Sequence, residues 1–200
     1  AFAQQFDIVV VVYFLSPAES APYFAALRTA GMLGLLLIAG NLISAPIISR
    51  LFRAGDKAAM QKTVRLLSLG IAIPTLIGFG ILALIGEFLL GLFNPAFVSS
   101  YYVMLILGLG FTFDAVAGPT GYMLQMVGHE RSYLKIMAFA YATTLVLQVI
   151  LAPIYGVYGV AIPSALGLII ANILIIHKVR TTLGVDPSLF GIFVKVRANV

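Results

Sequence analysis

Apolar residues run along this chain in long blocks, and two alternating kinds of polar segment interrupt them. The first block, residues 2–15, ends at Ser16-Pro17-Ala18-Glu19-Ser20-Ala21-Pro22. That segment predicts a turn, because its two prolines oppose helix continuation, and Ser16 and Glu19 have capping-box spacing. A second block covers about 23–49. A basic segment follows, in which Gly55-Asp56 is a helix stop and restart signal. Met60, Val64 and Leu67 then share one helical face, the pattern of a segment lying on a membrane surface. The third block covers about 66–92 and breaks at Asn94-Pro95. Ser99 or Ser100 can cap a fourth, about 101–127. After Gly128-His129-Glu130-Arg131 comes an uncharged run of 41 residues, 136–176. That is about twice the ~20 residues of one membrane-spanning helix. Pro153, Gly156 and Gly159 place a hairpin in it, so spans five and six cover about 133–151 and 160–176.

The distribution of charge turns these blocks into a topology. Eleven of the twelve Lys and Arg residues fall in three patches. Arg50, Arg53, Lys57, Lys62 and Arg65 form the first, Arg131 and Lys135 the second, and Lys178, Arg180, Lys195 and Arg197 the third. The loops between them carry no Lys or Arg. Six of the nine tyrosines gather there instead: Tyr13, Tyr23, Tyr101, Tyr102, Tyr155 and Tyr158. This is the positive-inside pattern with an aromatic belt on the far side. It predicts both ends of the segment on the cytoplasmic face.

Composition agrees. Hydrophobic residues make up 62% of the chain and charged ones 10%, against roughly 25% charged in an ordinary soluble domain. A soluble helical domain would need a polar face on most helices, and none is visible. The net charge of +5 is explained by anionic inner-leaflet lipid at the span ends, not by nucleic acid. The expected fold is all-α: a polytopic membrane protein whose six transmembrane helices form one bundle over 1–183. Its first helix is cut short at the start of the sequence. A cytoplasmic or interfacial tail, 184–200, carries one short apolar stretch, 189–194.

Enzyme chemistry finds no support. There is no Cys, hence no disulfide or thiolate metal site. No HExxH occurs, and His129 and His177 sit at basic span ends, which argues against zinc. Gly108-Leu109-Gly110 is followed by Phe at 113 and is not a dinucleotide fingerprint. No phosphate-binding GxxxxGK[ST] loop is present. No cofactor is expected, and the chain reads as a non-enzyme.

The candidate functional residues are the ionisable ones inside the spans, where a charge costs at least ~2.5 kcal/mol on insertion scales. Asp7 lies in span one, Arg28 near the outer end of span two and Asp114 near the middle of span four. Spans one and two are antiparallel neighbours, so Asp7 and Arg28 can meet as a structural pair. Arg28 is also long enough to snorkel. Asp114 is too short to snorkel from its depth, so it carries a proton or faces a polar cavity. For Asn41, Gln148 and Asn172 the default is an interhelical hydrogen bond. Pro46, Pro74, Gly118-Pro119 and Pro163 permit bends within the spans.

Four stretches give the chain a family resemblance. They are Gln5-Phe6-Asp7-Ile8-Val9, Tyr23-Phe24-Ala25-Ala26-Leu27-Arg28, and Ala45-Pro46 leading to Ser49-Arg50-Leu51 and Gly55-Asp56. The fourth is Gly118-Pro119-Thr120-Gly121-Tyr122-Met123-Leu124 running on to Met126-Val127-Gly128-His129-Glu130-Arg131. In these the chain resembles the C-terminal half of the Wzx-type O-antigen and exopolysaccharide flippases, in the superfamily of MATE exporters and lipid II flippases. The match covers about 2–184, with Val127 standing where a small residue is expected. The resemblance implies one six-helix lobe of a two-lobe, alternating-access transporter in the bacterial inner membrane. The missing N-terminal lobe belongs to the same chain, and other polysaccharide-assembly proteins are possible partners. The implied substrate is an oligosaccharide on a polyprenyl pyrophosphate. Arg28 would contact the pyrophosphate, and Asp7 or Asp114 would bind a coupling proton or cation. A MATE-type drug or cation antiporter and a lipid II flippase are the alternatives.

Overall fold

The computed structural model describes residues 2–187, with side chains from Asp7 onward. Its elements are α1 (Phe2–Phe14), α2 (Pro17–Gly31), α3 (Gly34–Arg53), α4 (Lys57–Phe93), a 3₁₀ turn (Pro95–Ser100), α5 (Tyr101–Ala117), α6 (Thr120–Met126), α7 (Glu130–Tyr155) and α8 (Val157–Leu183). No strand occurs among the described residues. Among the described residues, five helical stretches are long and apolar enough to cross a membrane: Gly34–Arg53, Lys57–Phe93, Pro95–Ala117, Glu130–Tyr155 and Val157–Leu183. α1, counted above as a sixth span, has 13 described residues.

Local chemistry explains most boundaries. α3 closes with Gly55 at φ 70°; the Gly55 N–H donates to Phe52 O and the Asp56 N–H to Leu51 O. This is the Schellman pattern, which uses the freedom of glycine to enter the left-handed region. Asp56 then caps α4, accepting from the Ala59 N–H at 2.8 Å. One dipeptide thus ends one helix and starts the next. The hairpin in the long uncharged run is tighter than its three markers imply. Gly156 alone, at φ 57°, separates α7 from α8, and Pro153 lies inside α7.

Four expectations need correcting, the first being span four, expected over about 101–127, which breaks at Gly118-Pro119 into α5 and α6. The segment 17–22 is not a turn but the start of α2. Pro17 occupies the first helical position, where its missing N–H costs nothing. Ser16 donates from its N–H and its hydroxyl to Glu19 Oε2, at 3.1 and 2.8 Å. Pro22 lies in the second turn of α2, and the carbonyl it would have bonded belongs to Ala18, an exposed residue of the first turn. Span two is not one helix. Between Gly31 and Gly34 the backbone tightens into i to i+3 bonds, Met32 to Thr29 and Leu33 to Ala30, dividing α2 from α3. Finally, 57–65 is not a surface segment. It is the first part of α4, a 37-residue helix about 55 Å long at 1.5 Å per residue. Met60 and Val64 are buried against Ile48, Met123, Leu124 and Val179.

α5 lies centrally, packing on α8, α4, α2 and α3. α7 and α8 form an antiparallel hairpin, and α1 packs on both. The helix order puts the loops at 54–56 and 127–129 and the end of α8 at one end of the bundle, the basic end. The loops at 15–16, 94–100 and 156 lie at the other. Residues 184–187 turn back onto α4, through Gln61 and Ser68. The apolar stretch 189–194 lies outside the described residues.

Candidate functional site

Small residues let the helices approach. A Cβ on Gly110 of α5 would stand 3.0 Å from the Ala165 Cα of α8. A Cβ on Gly121 of α6 would stand 2.8 Å from the Tyr133 ring of α7, and one on Gly167 of α8 would collide with the Thr144 hydroxyl. Beside these close approaches, and lined in part by the same residues, lies a cavity of about 230 Å³. α1, α2, α3, α5, α6, α7 and α8 all line it. Two polar groups of residues occupy it at different levels. Their α8 members, Ser164 and Asn172, are eight residues apart, about 12 Å along the helix axis.

The level nearer the non-basic end is built on Asp7. Its Oδ1 accepts from Gln148 Nε2 at 2.7 Å and lies 3.0 Å from the Ser164 hydroxyl. Its Oδ2 accepts from the Tyr23 hydroxyl at 3.3 Å. Ser164 also lies 2.8 Å from the Val160 carbonyl, so its single proton serves one acceptor at a time. Asp7, Tyr23 and Gln148 are all buried. Tyr23, expected in the interfacial belt, is instead wholly buried and reads the carboxylate. Its ring lies on the face of α2 that also buries Ala26, Leu27 and Ala30.

The level nearer the basic end is built on Asp114, in the last turn of α5. Asn172 donates from Nδ2 to Asp114 Oδ1 at 2.9 Å. The Thr120 hydroxyl, first in α6, lies 3.5 Å from Asn172 Oδ1. Asn41 of α3 lines the same cavity, is buried, and leaves its Oδ1 without a hydrogen-bond partner. Tyr122, Tyr133 and Tyr141 complete the wall. Neither carboxylate has an ion-pair partner among the described residues. No group of three or more His, Cys, Asp or Glu converges among them either. A cation held here would therefore meet one carboxylate plus neutral oxygens.

The structure brings Asp7 and Asp114 to one cavity and leaves Arg28 out of it. Arg28 is exposed on α2, off the face that carries Tyr23, Leu27 and Ala30, and does not line the cavity. The expected Asp7–Arg28 pair does not form; three neutral donors take the place of the guanidinium. Gln148 and Asn172 make the interhelical bonds that their position in apolar spans implies. Ser164, Thr120, Tyr23 and the cavity tyrosines were missed. Hydroxyls and tyrosines are ordinary in spans, and only the helix rotations turn these inward.

The fold and the cavity together define a class: an all-α, multi-pass membrane protein with a polar chamber inside its helix bundle. No protein-family model, curated protein or solved structure matches the chain.

Proposed function

We propose that this chain forms one lobe of a membrane transporter that moves a polyprenyl-pyrophosphate-linked oligosaccharide across the bacterial inner membrane by alternating access. One observation carries the transport reading. A bundle of lipid-compatible helices keeps an internal polar cavity with two carboxylates at two levels. Ionisable groups in spans are costly and mark substrate or ion pathways, and cavities beside interrupted helices are the usual transport sites. The glycan class rests on the family resemblance. In this reading Asp7 and Asp114 handle the coupling proton or cation. Arg28 meets the pyrophosphate on the exposed face of α2, apart from the cavity. The basic end faces the cytoplasm.

A specific observation favours a second reading, a MATE-type cation antiporter. The described residues lining the cavity include two Asp and three Tyr but no Lys, Arg or His. The test is made on the full-length protein in a bacterial strain deleted for its own O-antigen flippase. Restored surface polysaccharide, lost again in Arg28→Ala, supports the flippase. No restoration, with cation efflux that Asp114→Asn abolishes, replaces it with the antiporter.

A further inference from the structure

α6 has seven residues, and helices shorter than ~12–15 residues are marginal on their own. Its position depends on the elbow joining it to α5 and on what packs around it. At the elbow Gly118 has φ 78° and ψ −163°, a region essentially confined to glycine. Pro119 follows and has no N–H. On the cavity side, Asn172 ties the last turn of α5 to the first residue of α6, through Asp114 and Thr120.

On the α4 side the elbow meets the returning segment 184–187. The Ser68 hydroxyl of α4 donates to the Pro187 carbonyl at 2.6 Å. A Cβ on Gly118 would collide with that same hydroxyl and stand 2.7 Å from Pro187 O. The segment is held in place by Gln61 of α4, whose side-chain amide bonds both backbone groups of Asp186. It accepts from the N–H and donates to the carbonyl, each at 2.8 Å, as a neighbouring β-strand would. The Asp186 carboxylate bonds Arg180 at 2.6 Å. Val185 is buried in one apolar cluster with Met123 and Leu124 of α6.

We infer that residues 184–187 are a latch on the α5–α6 elbow: pinned to α4 by Gln61 and Ser68, they hold α6 in place and so set the cavity wall at Thr120, Gly121 and Tyr122. The packing leaves no slack between Gly118 and Pro187, so the elbow cannot shift without displacing the segment. Among the described residues, the segment's hydrogen bonds to α4 come from two side chains, Gln61 and Ser68, beside the Arg180–Asp186 pair and buried Val185. α6 also packs on α3, α7 and α8, so release removes one of its supports and lets it shift about the Gly118 elbow, while the long helices stay packed. A discrete element that both ends of a contact chain can bias is the physical requirement for coupling.

Residues 1–200 contain no Cys, and any cysteine elsewhere in the full-length protein is first replaced by Ser. Tyr122→Cys reports the α6 wall, and Leu168→Cys reports the α8 wall of the same cavity. Maleimide labelling rates are measured on the full-length protein in lipid vesicles, with and without Gln61→Met plus Ser68→Ala. Loss of these hydrogen bonds is expected to change labelling at position 122 about fivefold or more and at 168 by less than about twofold. Equal rates with and without the latch substitutions overturn the proposal. Equal changes at both positions also overturn it, because they mean general loosening. If Tyr122→Cys does not fold, hydrogen exchange of amides 120–126 in the native-Tyr122 chain decides. Faster exchange confined to that stretch in the double variant is expected, and unchanged exchange refutes the latch. Neither readout depends on a transported substrate.

Discussion

Asn172 reaches from α8 to α5 and donates from Nδ2 to Asp114 Oδ1 at 2.9 Å, while the same nitrogen bonds the Leu168 carbonyl of its own helix at 3.0 Å. Both amide protons are therefore used, and the side chain is fixed in rotamer. Its oxygen is left facing Thr120 across the elbow. This one contact joins α5, α6 and α8 at the level where the bundle is hollow.

A double-mutant cycle on this pair is expected to show coupling. Asn172→Leu leaves the Asp114 carboxylate without its amide donor and should destabilise the lobe by about 1–2 kcal/mol. Asp114→Leu should cost a similar amount. The double variant should cost clearly less than the sum, because each single change leaves one polar group of the cavity without its partner. Thermal unfolding in detergent measures all three, and simple additivity would sink the pairing.

The donors around Asp7 should rank by geometry. Gln148 makes the shortest bond, 2.7 Å, and is 0% exposed, so Gln148→Leu should destabilise most, by about 1–2 kcal/mol. Ser164→Ala should be intermediate, since its proton has the Val160 carbonyl as an alternative. Tyr23→Phe, losing only a 3.3 Å contact, should cost under about 0.5 kcal/mol. Unfolding of the three variants under one condition checks the order, and a largest loss in Tyr23→Phe would contradict it.

Two glycine-to-alanine changes should differ sharply. Gly118 combines positive φ with Ser68 and Pro187 where a Cβ would stand, so Gly118→Ala should cost about 1–3 kcal/mol or more. Gly70 in α4 has open space around its would-be Cβ. Gly70→Ala should be neutral or stabilising, by up to ~1 kcal/mol of helix propensity. Comparable melting temperatures for the two variants would contradict the elbow geometry.

Asp56 lies at the basic end, outside the apolar part of α4. Asp56→Ala removes the acceptor for the Ala59 N–H and should cost about 0.5–2 kcal/mol. Asp56→Asn should recover most of it, because the amide oxygen also caps. Hydrogen exchange of amides 57–60 should rise in the alanine variant and stay near native in the asparagine one. Equal exchange in all three would show that the cap contributes nothing.

Where the sequence reading succeeded, the signal was local. Gly55-Asp56 ends and starts helices through bonds within six residues, and the hairpin at Gly156 needed only a break in a long apolar run. Where it failed, the deciding contact was distant. Pro22 stays helical because the carbonyl it strands is exposed. Met60 and Val64 are buried because they join one apolar cluster with Ile48 of α3, Val185 and residues of α6 and α8. Tyr23 pairs with Asp7 because α2 turns that face inward, and the same turn sends Arg28 outward.

The sequence by itself determined an all-α membrane chain, its main apolar helices, which ends carry the positive charge, and that Asp7, Arg28 and Asp114 are the ionisable residues inside the apolar blocks. These follow from hydropathy, loop charge and span length, which are sums over neighbouring residues. Only the tertiary structure decided that the two carboxylates share one cavity, that neutral amides and hydroxyls partner them, and that residues 184–187 pack beside Gly118. Those facts depend on the rotation of each helix about its axis. In a helix apolar on every side, the periodic pattern that would reveal the rotation is absent, and packing alone sets it.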